Sequence, residues 1–182
     1  MARVPASAAL MRKGVARVME IAAGVRLVAF DCDGVLTDGR IGYAPGPNGP
    51  EGYVTFHTRD GHGFRLLREA GIATAWVSGN RHPTVAERAR RLRIPHVRLS
   101  TDEKDETVRS LAAELHLELG RVAFVGDDVN DLPAMAIVGL PIAVADADWE
   151  VRARAAYVTV KRGGHGAARE VADLILAAKG RT

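Results

Sequence analysis

A single cysteine stands among 182 residues, so Cys32 has no partner for an intramolecular disulfide and the stapled framework of small secreted domains is excluded. Aromatic residues are scarce, at 5% of the chain. Long apolar runs are missing too: no window approaches the ~18 consecutive apolar residues of a membrane span, and no membrane partner is expected. Charge of one sign is nearly balanced, with 25 Lys and Arg against 22 Asp and Glu, a net +3. That surplus is too small to argue for nucleic acid, while a small anionic substrate suits it. The basic N-terminal stretch lacks an uninterrupted apolar segment, so no secretory signal is expected and the cytoplasm is the expected compartment.

Hydrophobic residues make up 47% of the sequence. At this length roughly 70% of the unfolded chain's surface can be buried, enough for one domain with its own core. The expected division is a tail and leading helix over 1–24, with Val15, Val18, Met19 and Ala22 at helical spacing, followed by a single domain over 25–182. Within it, apolar runs at 25–30, 72–77, 121–125 and 141–145 each stop at a polar or glycine-containing turn, with shorter runs at 96–99 and 157–160. Helical patterns lie between them: 64–70 closed by Gly71, a stretch after Pro83, another after Lys104, and 167–178. Strands alternating with helices predict an α/β fold, a Rossmann-like doubly wound parallel sheet that binds ligands at the carboxyl ends of its strands. One segment breaks the alternation. Residues 40–56 place two β-prone pieces around a Pro/Gly/Asn-rich turn and predict a projecting β-hairpin flap over about 40–55.

The polar clusters carry the chemistry. Asp31-Cys32-Asp33-Gly34 follows the first strand run and puts two carboxylates two residues apart into a small volume. Their repulsion is relieved by a divalent cation or a shared proton. Gly126-Asp127-Asp128-Val129-Asn130-Asp131 ends another run, and adjacent strands would bring Asp127 beside Asp31. Oxygen ligands of this kind suit Mg²⁺, whereas neither cluster has the spacing of a calcium-binding EF-hand loop. Ser78-Gly79 supplies a hydroxyl and backbone amides at a strand-to-helix turn, and Lys104 a positive charge at a helix start, the groups that phosphate needs.

The ordered set formed by 31–39, Ser78-Gly79, Lys104 and the 126–131 cluster resembles the four motifs of the haloacid dehalogenase superfamily. More narrowly, 27–41, the FHTRDGHG stretch at 56–63, VGDDVNDLPAM and the KRGGHGAAREVAD tail resemble its phosphatases for eight- and nine-carbon 3-deoxy sugar acids. That resemblance implies a fold without a large cap domain, and a phosphate ester of a sugar acid as substrate. The octulosonate 8-phosphate is the first expectation, with a nonulosonate 9-phosphate or another small sugar phosphate as the alternative. It further implies that Asp31 is the nucleophile, that Asp33 is the acid and base, and that Mg²⁺ is held by Asp31, the Asp33 carbonyl and Asp127. Ser78, Gly79 and Lys104 would hold the phosphoryl group, and Asp128 and Asp131 would orient these ligands. Arg59, Asp60, Gly61, Asn80, Arg88 and the Gly163-Gly164 tail would lie around the substrate. A homotetramer built through the hairpin flap is also implied.

Asn80 departs from the Arg usual in the octulosonate enzymes, and a neutral amide does not replace a bidentate cation at a carboxylate. Other classes remain open at this stage. A phosphomutase would use the same aspartyl-phosphate. A receiver domain orders its acidic residues differently and lacks a carboxylate two residues after the phosphorylated one. A non-catalytic, phosphatase-like regulatory domain is the remaining alternative.

Overall fold

The computed structural model describes residues 6–180, with side chains from residue 14 onward. Residues 1–5, part of the expected tail, lie outside the described residues. Helix α1 (Ala6–Gly24) leads into β1 (Leu27–Phe30), and the hairpin β2 (Gly42–Gly46) and β3 (Gly49–Tyr53) follows. Then α2 (Thr58–Glu69), β4 (Ala73–Ser78), α3 (Pro83–Leu92), β5 (His96–Leu99) and α4 (Lys104–Glu114) alternate. The chain continues through β6 (Val122–Gly126), α5 (Leu132–Ile137), β7 (Leu140–Ala143), α6 (Trp149–Arg154), β8 (Tyr157–Val158) and α7 (Ala167–Ala178).

Six strands form one parallel sheet in the order β5-β4-β1-β6-β7-β8, and β2-β3 is a separate antiparallel ribbon. Every residue of β1 and β6 is buried, as is nearly all of β4, so both faces of the sheet centre are covered. This explains the continuous apolar runs in the sequence, since a strand buried on both faces cannot alternate with polar residues. Helices α1 and α2 each pack against α7, and α4 packs against α5. Gly63 permits the tight approach of α2 to α7: a Cβ there would sit 3.0 Å from the Arg169 Cα. The α/β doubly wound expectation therefore holds, with the hairpin at 42–53 and no large cap domain. Among the described residues no helix is long and apolar enough to cross a membrane.

The structure corrects the helix bounds. Helix α2 starts at Thr58 rather than Phe64, capped by His57, whose Nδ1 accepts from the Arg59 amide at 3.3 Å. Gly61 and Gly63 dilute the apolar period in that first part, and so hid it. Helices α5 and α6, of six residues each, were not expected, being too short to show a period.

Chain order places the site. From β1 the chain moves outward through β4 and β5, then returns to β6 on the other side of β1 and moves outward again. The loops leaving β1 and β6 diverge, which opens a crevice at the strands' carboxyl ends. Below it lie the large core side chains Phe30, Phe124, Trp76 and Leu111. Truncating the fully buried Phe124 to Ala at the sheet centre is expected to lower the unfolding free energy by about 3–5 kcal/mol, read by urea denaturation.

Candidate active site

Asp31 follows β1 directly, its amide donating to the Val125 carbonyl at 2.9 Å and so extending the ladder by one residue. The chain then turns sharply. Thr37, fully buried, accepts from the amides of Gly34 and Gly39 at 3.3 Å each, and its hydroxyl donates to the Cys32 carbonyl at 3.4 Å. This hydroxyl knits residues 32–39 into a closed turn, a role the sequence reading did not assign to it. Gly34 has a φ of +79°, and a Cβ there would strike the Asp127 carboxylate, so glycine is required twice over.

Asp127 and Asp128 follow β6, and Asp131 curls beneath them. The Asp131 Oδ2 accepts from the amides of Asp127 at 2.9 Å and Asp128 at 3.3 Å, while its Oδ1 accepts from Lys104 at 2.7 Å. Lys104 opens α4, is 2% exposed, and also donates to Asp31 Oδ1 at 2.9 Å. One ammonium thus bridges the two strand-end clusters from within the protein.

Burial pushes the Asp31 carboxyl well above the usual carboxylate range, the negative charge of Asp131 adds to this, and Lys104 opposes it. Burial likewise raises Asp127, reinforced by the charges of Asp31 and Asp131. Burial disfavours the Lys104 ammonium, yet Asp31 and Asp131 outweigh that and hold it above its ordinary value.

One pocket of about 390 Å³ gathers Asp31, Asp33, Ser78, Gly79, Asn80, Lys104, Asp127 and Asp128, together with Gly34, Gly39 and Asn130. Ser78 is buried, and its Oγ accepts from the Asn80 amide at 3.1 Å, shaping the turn after β4. Asn130 was not singled out from sequence, where nothing distinguishes it from an ordinary turn residue.

Arg59, Asp60, Gly61 and Arg88 do not line this pocket. Arg59 is exposed on a neighbouring cavity with Lys161 and Arg169. Asp60 is 4% exposed and accepts from the Arg169 amide at 2.8 Å, capping α7. Arg88 lies over the Phe56 ring, 5.9 Å from its centroid, and Gly61 sits beside the Arg88 guanidinium. The glycine pair 163–164 presses on the turn itself: a Cβ on Gly163 would strike the Gly34 carbonyl, and the Gly164 amide donates to the Val35 carbonyl at 2.9 Å.

Asp31, Asp127 and Asp131 each offer a carboxylate oxygen, all within 4.8 Å of one another. Both Asp131 oxygens already serve Lys104 and backbone amides, so Asp31 and Asp127 are the carboxylates with capacity for a cation. Their mutual repulsion and all-oxygen donor set fit a hard divalent ion such as Mg²⁺.

Comparison with known proteins agrees with this geometry. The haloacid dehalogenase-like hydrolase family model matches residues 99–171. The 3-deoxy-D-manno-octulosonate 8-phosphate phosphatase of Yersinia pestis is 41% identical over 162 residues, covering 89% of this chain and 85% of that protein. The chain belongs to the 3-deoxy-D-manno-octulosonate 8-phosphate phosphatase family. The octulosonate phosphatase structure from Moraxella catarrhalis, in complex with magnesium ion, phosphate ion and KDO, superposes with a TM-score of 0.84 at 36% identity, covering 90% of this chain and 92% of that one. The cobalt-bound octulosonate phosphatase from Haemophilus influenzae gives 0.83 at 38% identity, covering 88% and 92%. These octulosonate phosphatases were therefore solved with divalent metals, in keeping with the carboxylate pair described above.

The buried Lys104 triad generates a stability prediction. Asp131→Ala strips Lys104 of its nearest acceptor and leaves two amides unpaired, and is expected to cost about 3–5 kcal/mol, read by chemical denaturation.

Proposed function

We propose that this protein is a Mg²⁺-dependent phosphatase that hydrolyses 3-deoxy-D-manno-octulosonate 8-phosphate to the free sugar acid and inorganic phosphate. The observation that carries the proposal is the placement of Asp31, at the end of β1, in one pocket with Asp33, Ser78, Lys104 and Asp127. Family membership supplies the substrate.

In this reading Asp31 attacks phosphorus. The bond between phosphorus and the sugar oxygen breaks, and Asp33 gives its proton to the departing alkoxide. Asp33, now a carboxylate, takes a proton from water as that water's oxygen attacks the aspartyl-phosphate; the bond from phosphorus to Asp31 breaks and phosphate leaves. Splitting one displacement into two lowers each barrier. Lys104, held by Asp131 at 2.7 Å, opposes the burial that favours protonated Asp31 and meets the charge on the transferring oxygens, together with Ser78 and the Gly79 amide. Asp31, Asp127 and the Asp33 carbonyl would hold Mg²⁺, which supplies positive charge that lets an anionic nucleophile approach an anionic ester. Asp128, whose Oδ1 accepts from the Val129 amide at 2.7 Å, shapes the turn carrying Asp127.

Asn80 favours a second reading. It lines the pocket where the octulosonate enzymes usually carry Arg, so a nonulosonate 9-phosphate or another sugar phosphate is the rival substrate. Phosphate release from both sugar acids beside ordinary sugar phosphates decides between them, and equal weak turnover of all would overturn the octulosonate reading. With the best substrate, Asp31→Asn is expected to reduce kcat about 10³-fold or more. A chelator should abolish turnover and added Mg²⁺ restore it. Full activity in Asp31→Asn would sink the mechanism.

A cytoplasmic homotetramer assembled through the hairpin completes the proposal. Ile41, Tyr43 and Tyr53 support it, being 52%, 71% and 46% exposed on or beside the ribbon, as apolar side chains awaiting a partner would be. Light scattering should find a tetramer, and Tyr43→Asp should shift the protein toward smaller species.

A further inference from the structure

Three side-chain polar atoms among the described residues are buried with no hydrogen-bond partner in the protein: Asp60 Oδ2, Trp76 Nε1 and Arg88 Nε. They belong to three different elements, α2, β4 and α3, yet their residues line one small cavity together with Phe56, His57 and Phe64. That cavity has a volume of about 10 Å³. Such a space holds about one water molecule and no larger ligand.

The donor and acceptor pattern selects the occupant. Two N–H groups need an acceptor and one carboxylate oxygen needs a donor. A metal cation cannot accept from Trp76 and Arg88, and an anion is repelled by Asp60. Water accepts two hydrogen bonds through its lone pairs and donates through an O–H, so it satisfies all three. We infer that one internal water bridges Asp60, Trp76 and Arg88, and that the ion pair it mediates fixes α2 so that Asp60 caps α7 and steadies the 163–166 loop against the 32–39 turn.

The coupling follows a continuous chain of contacts. The other Asp60 oxygen, Oδ1, accepts from the Arg169 amide at 2.8 Å in the first turn of α7. Immediately before α7, the Gly164 amide donates to the Val35 carbonyl at 2.9 Å, behind the turn that bears Asp31 and Asp33. Gly61 makes room for this arrangement: a Cβ there would lie 3.0 Å from Leu92 and 3.1 Å from the Arg88 guanidinium. Asp60 and Arg88 are thereby positioning residues that do not themselves line the pocket. The inference rests on the cavity and these bonds, and holds whichever ester the enzyme hydrolyses.

A high-resolution crystal structure of the full-length protein tests the bridge. The expected result is one water oxygen about 2.7–3.2 Å from all three atoms. A direct Asp60–Arg88 contact with nothing between, or Arg88 turned toward the phosphate pocket, would overturn it. Hydrogen exchange tests the coupling in Trp76→Phe, which removes one donor but keeps an aromatic ring, and in Arg88→Met. Protection of the Arg169 and Gly164 amides is expected to fall by about tenfold, because the cap loosens with the bridge. Unchanged protection at Gly164 in a folded variant would overturn the coupling, and the crystal structure of the unaltered chain decides the bridge even if both variants fail to fold.

Discussion

A single ammonium buried between two carboxylates ties the two halves of this sheet into one reactive centre. Lys104 reaches Asp31 at the end of β1 and Asp131 below the end of β6, at 2.9 and 2.7 Å. Lys104 opposes the burial that raises the Asp31 carboxyl, and the two carboxylates offset the cost of burying the ammonium. Asp131 spends its second oxygen on the amides of Asp127 and Asp128, so the same contact sets where Asp127 points. The convergence of Asp31 and Asp127 on a cation-sized space is the consequence.

The close approach of these loops depends on the absence of side chains at particular places. Gly34 yields room to the Asp127 carboxylate, and Gly163 yields room to the Gly34 carbonyl. The C-terminal loop therefore braces the catalytic turn from behind, through backbone contacts that a Cβ would break. Asp146 strengthens the brace, its carboxylate accepting from the Gly163 amide at 2.9 Å and from Arg162 at 3.1 Å. A site without a large cap domain gains its rigidity from this tight layering of loops.

Much of the fold was legible because a parallel strand buried on both faces must be apolar throughout, as 27–30 and 122–125 are. The start of α2 was not legible, since Gly61 and Gly63 carry no hydrophobic signal, although Gly63 is there to admit α7. The pocket residues Asp31, Asp33, Ser78, Gly79, Asn80, Lys104, Asp127 and Asp128 were legible because each sits where an apolar run stops or a helix begins. Arg59, Asp60, Gly61 and Arg88 were expected around the substrate, and they are not among the residues that line this pocket. Sequence proximity to a motif says nothing about which way a helix turns its side chains, and at 100° per residue neighbours face different surroundings.

Residue types and their order determined the sheet, the strand-end carboxylates and the chemistry open to them, because periodicity and charge are local properties. Tertiary structure alone decided which carboxylates retain free oxygens. Asp127 and Asp131 are alike in sequence, but Asp131 is consumed by Lys104 and two amides while Asp127 faces the pocket. It also decided that Asp60 caps a helix 109 positions away, a contact that depends on how α2 and α7 pack and so on no local pattern.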